Sequence, residues 1–458
     1  MTEVLESVNH LVWGIPALIM ILGVGIFLTV RTGFVQLRLF PEAMKHLWTM
    51  LRRGRGNSSF RALCTALGAT VGTGNLVGVA GAICLGGPGS IFWMWICGFF
   101  GMAVKYTEAL LAVRYREGKP GDYASGPMYI ISRGMGKGYR WLAWMYSLFG
   151  VTAAFGVGNA AQINAVVTGI NACTGKETAV GNFVMGVILA AAVGVMLTGG
   201  ASRIGAAAEK LVPIASAGYI LLCFWVLLCR WDRVGDAFGA IVTGAFRPRA
   251  VTGGVLGSAF QTLRTGCSRG VFTNEAGMGT AAIAHGTAEQ VHPAQQGMMG
   301  IVEVFLDTIV ICTLTALVIL CSGAEIPYGV DAGGSLTMDA FELVCGSWTG
   351  PVLTAALCCF AFATILGWGL YGARCAQFLL GDRAWKGFAA VQIGMVVVSA
   401  VMKTGLVWTI AEILNGLMAI PNLIALAACS GEAARLTKEF TQSGRWKDSG
   451  CNMGKTIL

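Results

Sequence analysis

A chain of 458 residues in which 55% are apolar and only 12% carry charge is too poor in charge for an ordinary soluble protein, where about 25% is usual; its length belongs to membrane spans. The formal net charge of +9 comes from basic residues set between apolar runs, without the aromatic or groove-reading motifs that a nucleic-acid partner requires, so that class is excluded. The 15 cysteines lie mostly inside apolar runs without CxxC pairs, which reads as packing rather than a disulfide framework or metal site.

In chain order, apolar windows long enough to cross a ~30 Å hydrocarbon core fall at 11–30, 60–84, 89–115, 140–171, 177–199, 205–229, 251–286, 295–320, 348–380, 386–402 and 405–429. Eleven spans would leave the two ends of the chain on opposite sides. The first ten residues carry Glu3 and Glu6 and no Lys or Arg, so no cleavable signal peptide is expected. Segments 31–61, 114–140, 201–210, 374–386 and 431–458 together hold 23 Lys and Arg, against six in the segments that alternate with them. The basic side is the cytoplasmic one, which puts the start of the chain outside and the tail inside a multi-pass inner membrane protein. Segment 321–347, with Glu325, Asp331, Asp339 and Glu342 and no basic residue, fits an external loop.

With the first span set aside, ten remain, five in each half. The expected division is 1–59 for an N-terminal helix and basic cytoplasmic loop, 60–230 for a first five-helix repeat, 231–430 for a second, and 431–458 for a cytoplasmic tail. Because five is odd, the two halves run in opposite senses, the inverted-repeat plan of secondary transporters. Each half opens with a Gly-rich span: "ALGATVGTGNLVGVAGAI" in the first, "LRTGCSRGVFTNEAGMGTAAIAH" in the second. A helix broken at Gly72–Gly74 frees carbonyls near Val71 and amides near Asn75. The carbonyls suit a cation, and the amides at a helix start suit a carboxylate. The plainer reading, close helix packing through small residues, weakens once the second half shows a matching interruption. A phosphate loop lacks its GK[ST].

Charged residues inside spans are costly and usually functional. Here they are Lys105, Glu108, Arg264, Arg269, Glu275, Glu303 and Asp307. Lys105 and Glu108, three apart, read as an ion pair on one helix face. Glu303 and Asp307, four apart, share a face and await either neutralisation by Arg264 or Arg269 or a role in a cation exit path. Asn159 and Gln162 share a face of the fourth span. His285, Glu289 and His292 form a weak metal candidate where the chain leaves the membrane.

The stretches "VGTGNLVGVAGAICLGGPGSIFWMW", "GMAVKYTEALLAVRYR", "SGPMYI", "FGVGNAAQIN", "TNEAGMGTAAIAHGTA", "FLDT" and "ATILGWGLYG" make the chain resemble the alanine or glycine:cation symporter family, also called sodium:alanine symporters. The resemblance implies an all-α, leucine-transporter-type bundle of two inverted five-helix repeats plus one N-terminal helix. It also implies sodium-coupled uptake of alanine or glycine, with Na+ as coupling ion, no organic cofactor and no enzymatic activity. It assigns Gly72, Thr73, Gly74 and Asn75 to the substrate, Gln162 to its polar end, Thr273 and Asn274 to the second broken helix, and Trp368 to limiting side-chain room. Its sodium site joins carbonyls of Gly68 and Val71 to Thr364 and position 363. Five positions depart from the family pattern: alanine stands for a hydroxyl residue at 363, for glutamate at 373 and for proline at 282, and "SGPMYI" replaces "GGPMYY" at its first and last residues. Proton-coupled symport through Glu303 or Asp307 is the alternative. A channel lacks its repeated polar ring, and an intramembrane enzyme lacks a nucleophile with its base.

Overall fold

The computed structural model describes residues 12–53, 57–248, 252, 258–289, 292–330, 333–402 and 404–443. The first eleven residues, Asp331, and 444–458 of the expected tail lie outside them.

The chain is almost wholly helical, and each expected window carries helix. In order these are α1 (Ile15–Arg31), α2 (Phe40–Arg53), α3 (Ser58–Thr70), α4 (Gly74–Gly86), α5 (Gly89–Tyr115), α6 (Lys137–Thr174), α7 (Ala179–Thr198), α8 (Gly200–Cys229) and α9 (Val234–Phe246). There follow α10 (Ala259–Asn274), α11 (Thr280–His285), α12 (Pro293–Ser322), α13 (Ser335–Cys345), α14 (Thr349–Leu380), α15 (Ala384–Val401), α16 (Thr404–Ala428) and α17 (Ser430–Gln442). Among the described residues, seven helices are long and apolar enough to cross a membrane, or nine if each of two bent pairs is one span. The difference from eleven has identifiable causes. Windows 60–84 and 405–429 count only as bent pairs, the second formed by Ile413–Ala428 with α17 at 58°; window 251–286 is interrupted and polar with part of its start undescribed, and the first window yields only a short apolar helix.

Segments expected to be loops are partly ordered. Residues 31–61 contain the amphipathic α2. Residues 114–140 contain an antiparallel hairpin of β1 (Glu117–Lys119) and β2 (Asp122–Ala124), Glu117 opposite Ala124. Residues 321–347 contain α13, and α9 precedes the second interrupted span.

Polar caps start several helices by taking amides that a first turn leaves unpaired. Asn57 Oδ1 accepts from Ser59 N at 2.9 Å to start α3, and Ser258 Oγ accepts from Phe260 N at 3.2 Å to start α10. Two sets of helices result. In one, α5 packs along both α10 and α12, with α3 and α4 against α10, α11 and α12. In the other, α6 packs on α14, and α7 on α15; α8 and α3 both lie against α14, joining the sets. Glycines let backbones touch: a Cβ at Gly300 would lie 2.6 Å from Lys105 O, where α12 meets α5. At the basic end, α17 is tied back to α5 by Arg114 Nε to Glu432 Oε1 at 2.8 Å and by the hydroxyls of Tyr106 and Thr437 at 2.9 Å.

Candidate functional site

The helix break expected at Gly72–Gly74 is present. α3 ends at Thr70, Val71 leaves the helical region with ψ 98°, and α4 resumes at a 49° angle. Its first turn, Gly74–Gly78, is π-helical, a geometry that recurs at functional sites. Asn75 holds the break locally, because its Oδ1 accepts from Gly72 N at 2.9 Å.

Both glycines are required by close approach. A Cβ at Gly72 would lie 2.7 Å from Thr364 Oγ1 and 3.6 Å from Gln162 Oε1; one at Gly74 would lie 2.8 Å from Thr273 Cγ2. Thr73 Oγ1 donates to Gln162 Oε1 at 3.2 Å. Thr364 Oγ1 donates to Gly68 O at 2.9 Å, so two of the oxygens expected around a cation already adjoin. Val71 is buried beside them. Ala363 brings only a methyl, 3.4 Å from a Cβ placed on Gly68.

The second break falls after Asn274. Glu275 (φ 53°), Gly277 (φ 93°) and Gly279 (φ 78°) take left-handed backbone angles before α11 begins, and glycine at two of the three makes the turn inexpensive. Asn274 repeats the device of Asn75: its Oδ1 accepts from Ala276 N at 2.9 Å.

The two breaks are joined by a third, π-helical stretch, Phe305–Cys312 of α12. Asn75 Nδ2 donates to Asp307 Oδ1 at 2.8 Å, Thr308 Oγ1 to Asp307 Oδ2 at 2.9 Å, and Asn274 Nδ2 to Thr308 Oγ1 at 3.0 Å. All these groups are buried. Gly72, Thr73, Gln162, Thr364 and Gly68 therefore meet at one side of the first break, while Gly74 and Thr273 meet at the other, with Asn75 and Asn274 linked through Asp307 and Thr308. Trp368, fully buried on α14, reaches the second break: its Nε1 donates to Glu275 Oε1 at 2.9 Å, and Thr280 Oγ1 donates to Glu275 Oε2 at 2.6 Å. A Cβ at Gly158 would run into Trp368 Cβ, so the tryptophan sits directly on the Gly156–Ala160 π-turn of α6.

Several sequence expectations require correction. Lys105 does not pair with Glu108; its Nζ bonds Glu303 Oε1 at 2.8 Å on α12, because the Gly300 contact brings the two backbones together. Glu303 Oε2 also meets His285 Nε2 at 2.9 Å, and His285 Nδ1 meets Gln296 Nε2 at 2.6 Å. Glu303 is thus paired with Lys105 and hydrogen-bonded by His285, and Asp307 is held by Asn75 and Thr308, in place of the expected Arg264 or Arg269. Glu303 and Asp307 also serve different networks, since the π-stretch begins between them. No group of three His, Cys, Asp or Glu among the described residues could hold a metal. His292 instead caps α12, accepting from Ala294 N at 3.1 Å. Asn159 and Gln162 diverge: Asn159 Nδ2 donates to Gln392 O at 3.0 Å on α15, and Gln162 turns to Thr73.

A model of the "Sodium:alanine symporter family" matches residues 1–451. The chain belongs to that family. Relatives include the "Sodium/alanine symporter AgcS" of Methanococcus maripaludis, 41% identical over 96% of this chain and 97% of that one. The "Probable sodium/glutamine symporter GlnT" of Bacillus subtilis is 35% identical over 96% and 92%. Among solved structures, the "Crystal structure of MhsT in complex with L-phenylalanine" superposes with a TM-score of 0.53 at 13% identity, covering 84% of this chain and 98% of that one. This likeness extends to the fold, of leucine-transporter type. Family membership makes the chain a multi-pass membrane transporter for cation-coupled amino acid symport.

Proposed function

We propose that the chain carries alanine or glycine into the cell together with sodium, by alternating access at the two helix breaks. The observation that carries this reading is the Gly68 O to Thr364 Oγ1 contact at 2.9 Å, one turn of α3 from the amides that begin α4. A hard cation wants several oxygens, and an amino acid carboxylate wants amides at a helix start. The two needs are met side by side. The names of both relatives support sodium as the ion, that of the Methanococcus maripaludis relative supports alanine, and the crowding at Gly72 and Gly74 supports a small substrate. The pairing of α5 with α12, α6 with α14 and α7 with α15 supports two inverted five-helix repeats at 60–230 and 231–430.

In this reading Gly72, Thr73, Gly74, Asn75 and Gln162 bind the amino acid with Thr273 and Asn274. Gly68, Val71 and Thr364 hold sodium, and Trp368 limits side-chain room. The start of the chain is external and the basic side cytoplasmic, so a single cysteine at Ser443 should resist an impermeant thiol reagent applied from outside. The test of the function is uptake of labelled alanine into proteoliposomes against external sodium, at fixed pH and membrane potential. Uptake should concentrate alanine and collapse when choline replaces sodium. If choline serves as well and a proton ionophore stops uptake, the ion is the proton, with Glu303 or Asp307 as its carrier.

A further inference from the structure

An interrupted helix inside a bilayer must place its freed amides somewhere, since each left unpaired in hydrocarbon costs several kcal/mol by order of magnitude. At the first break one freed amide, Gly72 N, is taken locally by Asn75. The second break is treated differently. Gly277 N and Gly279 N both donate to Glu108 Oε1, at 3.0 and 3.1 Å. Asn422 Nδ2 of α16 reaches the same oxygen at 2.8 Å and also donates to Gly277 O at 2.8 Å. Three donors from two separate elements thus converge on one oxygen of a fully buried carboxylate of α5. Lys105, the cation one turn earlier, is engaged by Glu303, so what holds Glu108 in place is this set of donors. Its other oxygen, Oε2, has no hydrogen-bond partner among the described residues.

We propose that Glu108 is a positioning residue for transport: a built-in carboxylate that fills the amide cradle of the second break, as a substrate carboxylate would fill the first. It fixes the unwound turn from Glu275 to Gly279, and through it Thr273, Asn274 and the Glu275 to Trp368 bond. It also closes that cradle to the substrate. The amino acid is left with a single place for its carboxylate and therefore a single orientation. What the cradle needs is an acceptor oxygen rather than a net charge. Glutamine supplies one, and its amide nitrogen would lie where Oε2 lies, displacing no donor.

The test compares the full-length protein with Glu108→Gln and Glu108→Ala in nanodiscs and proteoliposomes, with and without added formate, a free carboxylate small enough for the vacated space. Hydrogen exchange of the peptide spanning 270–285 and alanine uptake are read together. In Glu108→Ala, exchange in that peptide should quicken about tenfold or more, as expected when buried amides lose their acceptor. Other peptides should keep parental exchange, and uptake should fall by a similar factor. Formate should reverse part of both changes in this variant and neither in the parent, and Glu108→Gln should stay within about threefold of the parent. The proposal is overturned if Glu108→Ala exchanges and transports like the parent. It is equally overturned if Glu108→Gln is as impaired as alanine and formate restores nothing, which would give Glu108 a role of charge alone. Should Glu108→Ala fail to fold, Asn422→Ala removes one donor while leaving the carboxylate. Faster exchange in the same peptide then supports the cradle, and unchanged exchange refutes it.

Discussion

Asn75 and Asp307 are bonded at 2.8 Å, Nδ2 to Oδ1, and this contact joins the first break to the π-stretch of α12. Two carboxylates at that distance could not both ionise, so Asn75→Asp should abolish alanine uptake while the protein still reaches the membrane. Asp307→Asn alone should impair uptake less. The exchange of both residues should recover a measurable part of the activity, because an amide and a carboxylate would again face each other. Uptake normalised to protein amount checks this; a double variant no better than Asn75→Asp would place the constraint elsewhere.

The cation site predicts opposite effects at neighbouring positions. Thr364→Ala removes the hydroxyl beside Gly68 O and should nearly abolish sodium-dependent uptake. Ala363→Ser adds an oxygen where the present side chain has only a methyl, and should lower the sodium concentration for half-maximal uptake several-fold, by about 1 kcal/mol for a hydrogen-bond-sized contribution. Sodium titrations of both variants decide it, and an Ala363→Ser variant needing more sodium would count against the site.

Carboxylate binding at the first break predicts that alaninamide competes poorly with alanine, since each buried donor left unpaired costs about 1–3 kcal/mol. Gly74→Val should stop transport, because a Cβ there already lies 2.8 Å from Thr273 Cγ2, and the amount of folded variant in the membrane is measured beside uptake. Competition by alaninamide equal to that of alanine would refute the assignment.

Trp368 should set substrate size from behind the second break. Trp368→Ala should admit larger side chains and weaken alanine binding, and Trp368→Phe should keep the size limit but lose the Glu275 bond. Gly158→Ala drives a methyl into Trp368 and should disturb uptake as strongly as changing the tryptophan itself. A panel of glycine, alanine, glutamine and leucine reads all three, and a Trp368→Ala variant with parental selectivity would move the residue out of the pocket wall.

The buried Lys105–Glu303 pair predicts a stability effect. Glu303→Ala leaves an ammonium buried without its carboxylate, a loss of about 3–5 kcal/mol for such pairs, and should lower the thermal unfolding temperature in detergent. Changing both, as Lys105→Met with Glu303→Leu, should be milder than the single change. A double variant less stable than Glu303→Ala would show that Lys105 supports the fold through more than its pairing with Glu303.

The two helix breaks were legible in the sequence because glycine and asparagine inside an apolar run conflict with a continuous span. Pairing of charges was not. Lys105 and Glu108 satisfy the three-residue spacing of a helix pair, yet each finds a better partner on another element, and spacing along one helix carries no information about what faces it. The nearest signal was Gly300 and Gly297, small residues one and two turns before Glu303 that let α12 close on α5. Asp307 was noticed as a charge but not as the link between the breaks. Thr308 stood only as the last residue of "FLDT", and Asn422, being uncharged, gave no warning at all. The divergence of Asn159 from Gln162 escaped because a π-turn shifts the helical phase without leaving a strong mark in composition.

The wide turn at Phe305–Cys312 confines the effect of a one-residue change in length to the turn itself. An α-helix advances by about 100° per residue, and a π-turn stores the equivalent of one extra residue. A relative that had lost a single residue there could run a regular helix through the same space with every side chain beyond it in phase, whereas the same loss in a regular stretch would rotate them all by about 100°. After a loss within the turn, Thr313, which accepts from Trp95 Nε1 at 2.8 Å, and Thr315, 2.8 Å from the Tyr219 hydroxyl, would keep their partners, while Asp307 and Thr308 inside the turn would be re-aimed. In a comparison of relatives, a one-residue gap in this stretch would mark a change of mechanism more surely than a longer gap in the β1–β2 hairpin, which meets the bundle through the bond from Arg374 Nη2 to Asp122 Oδ1.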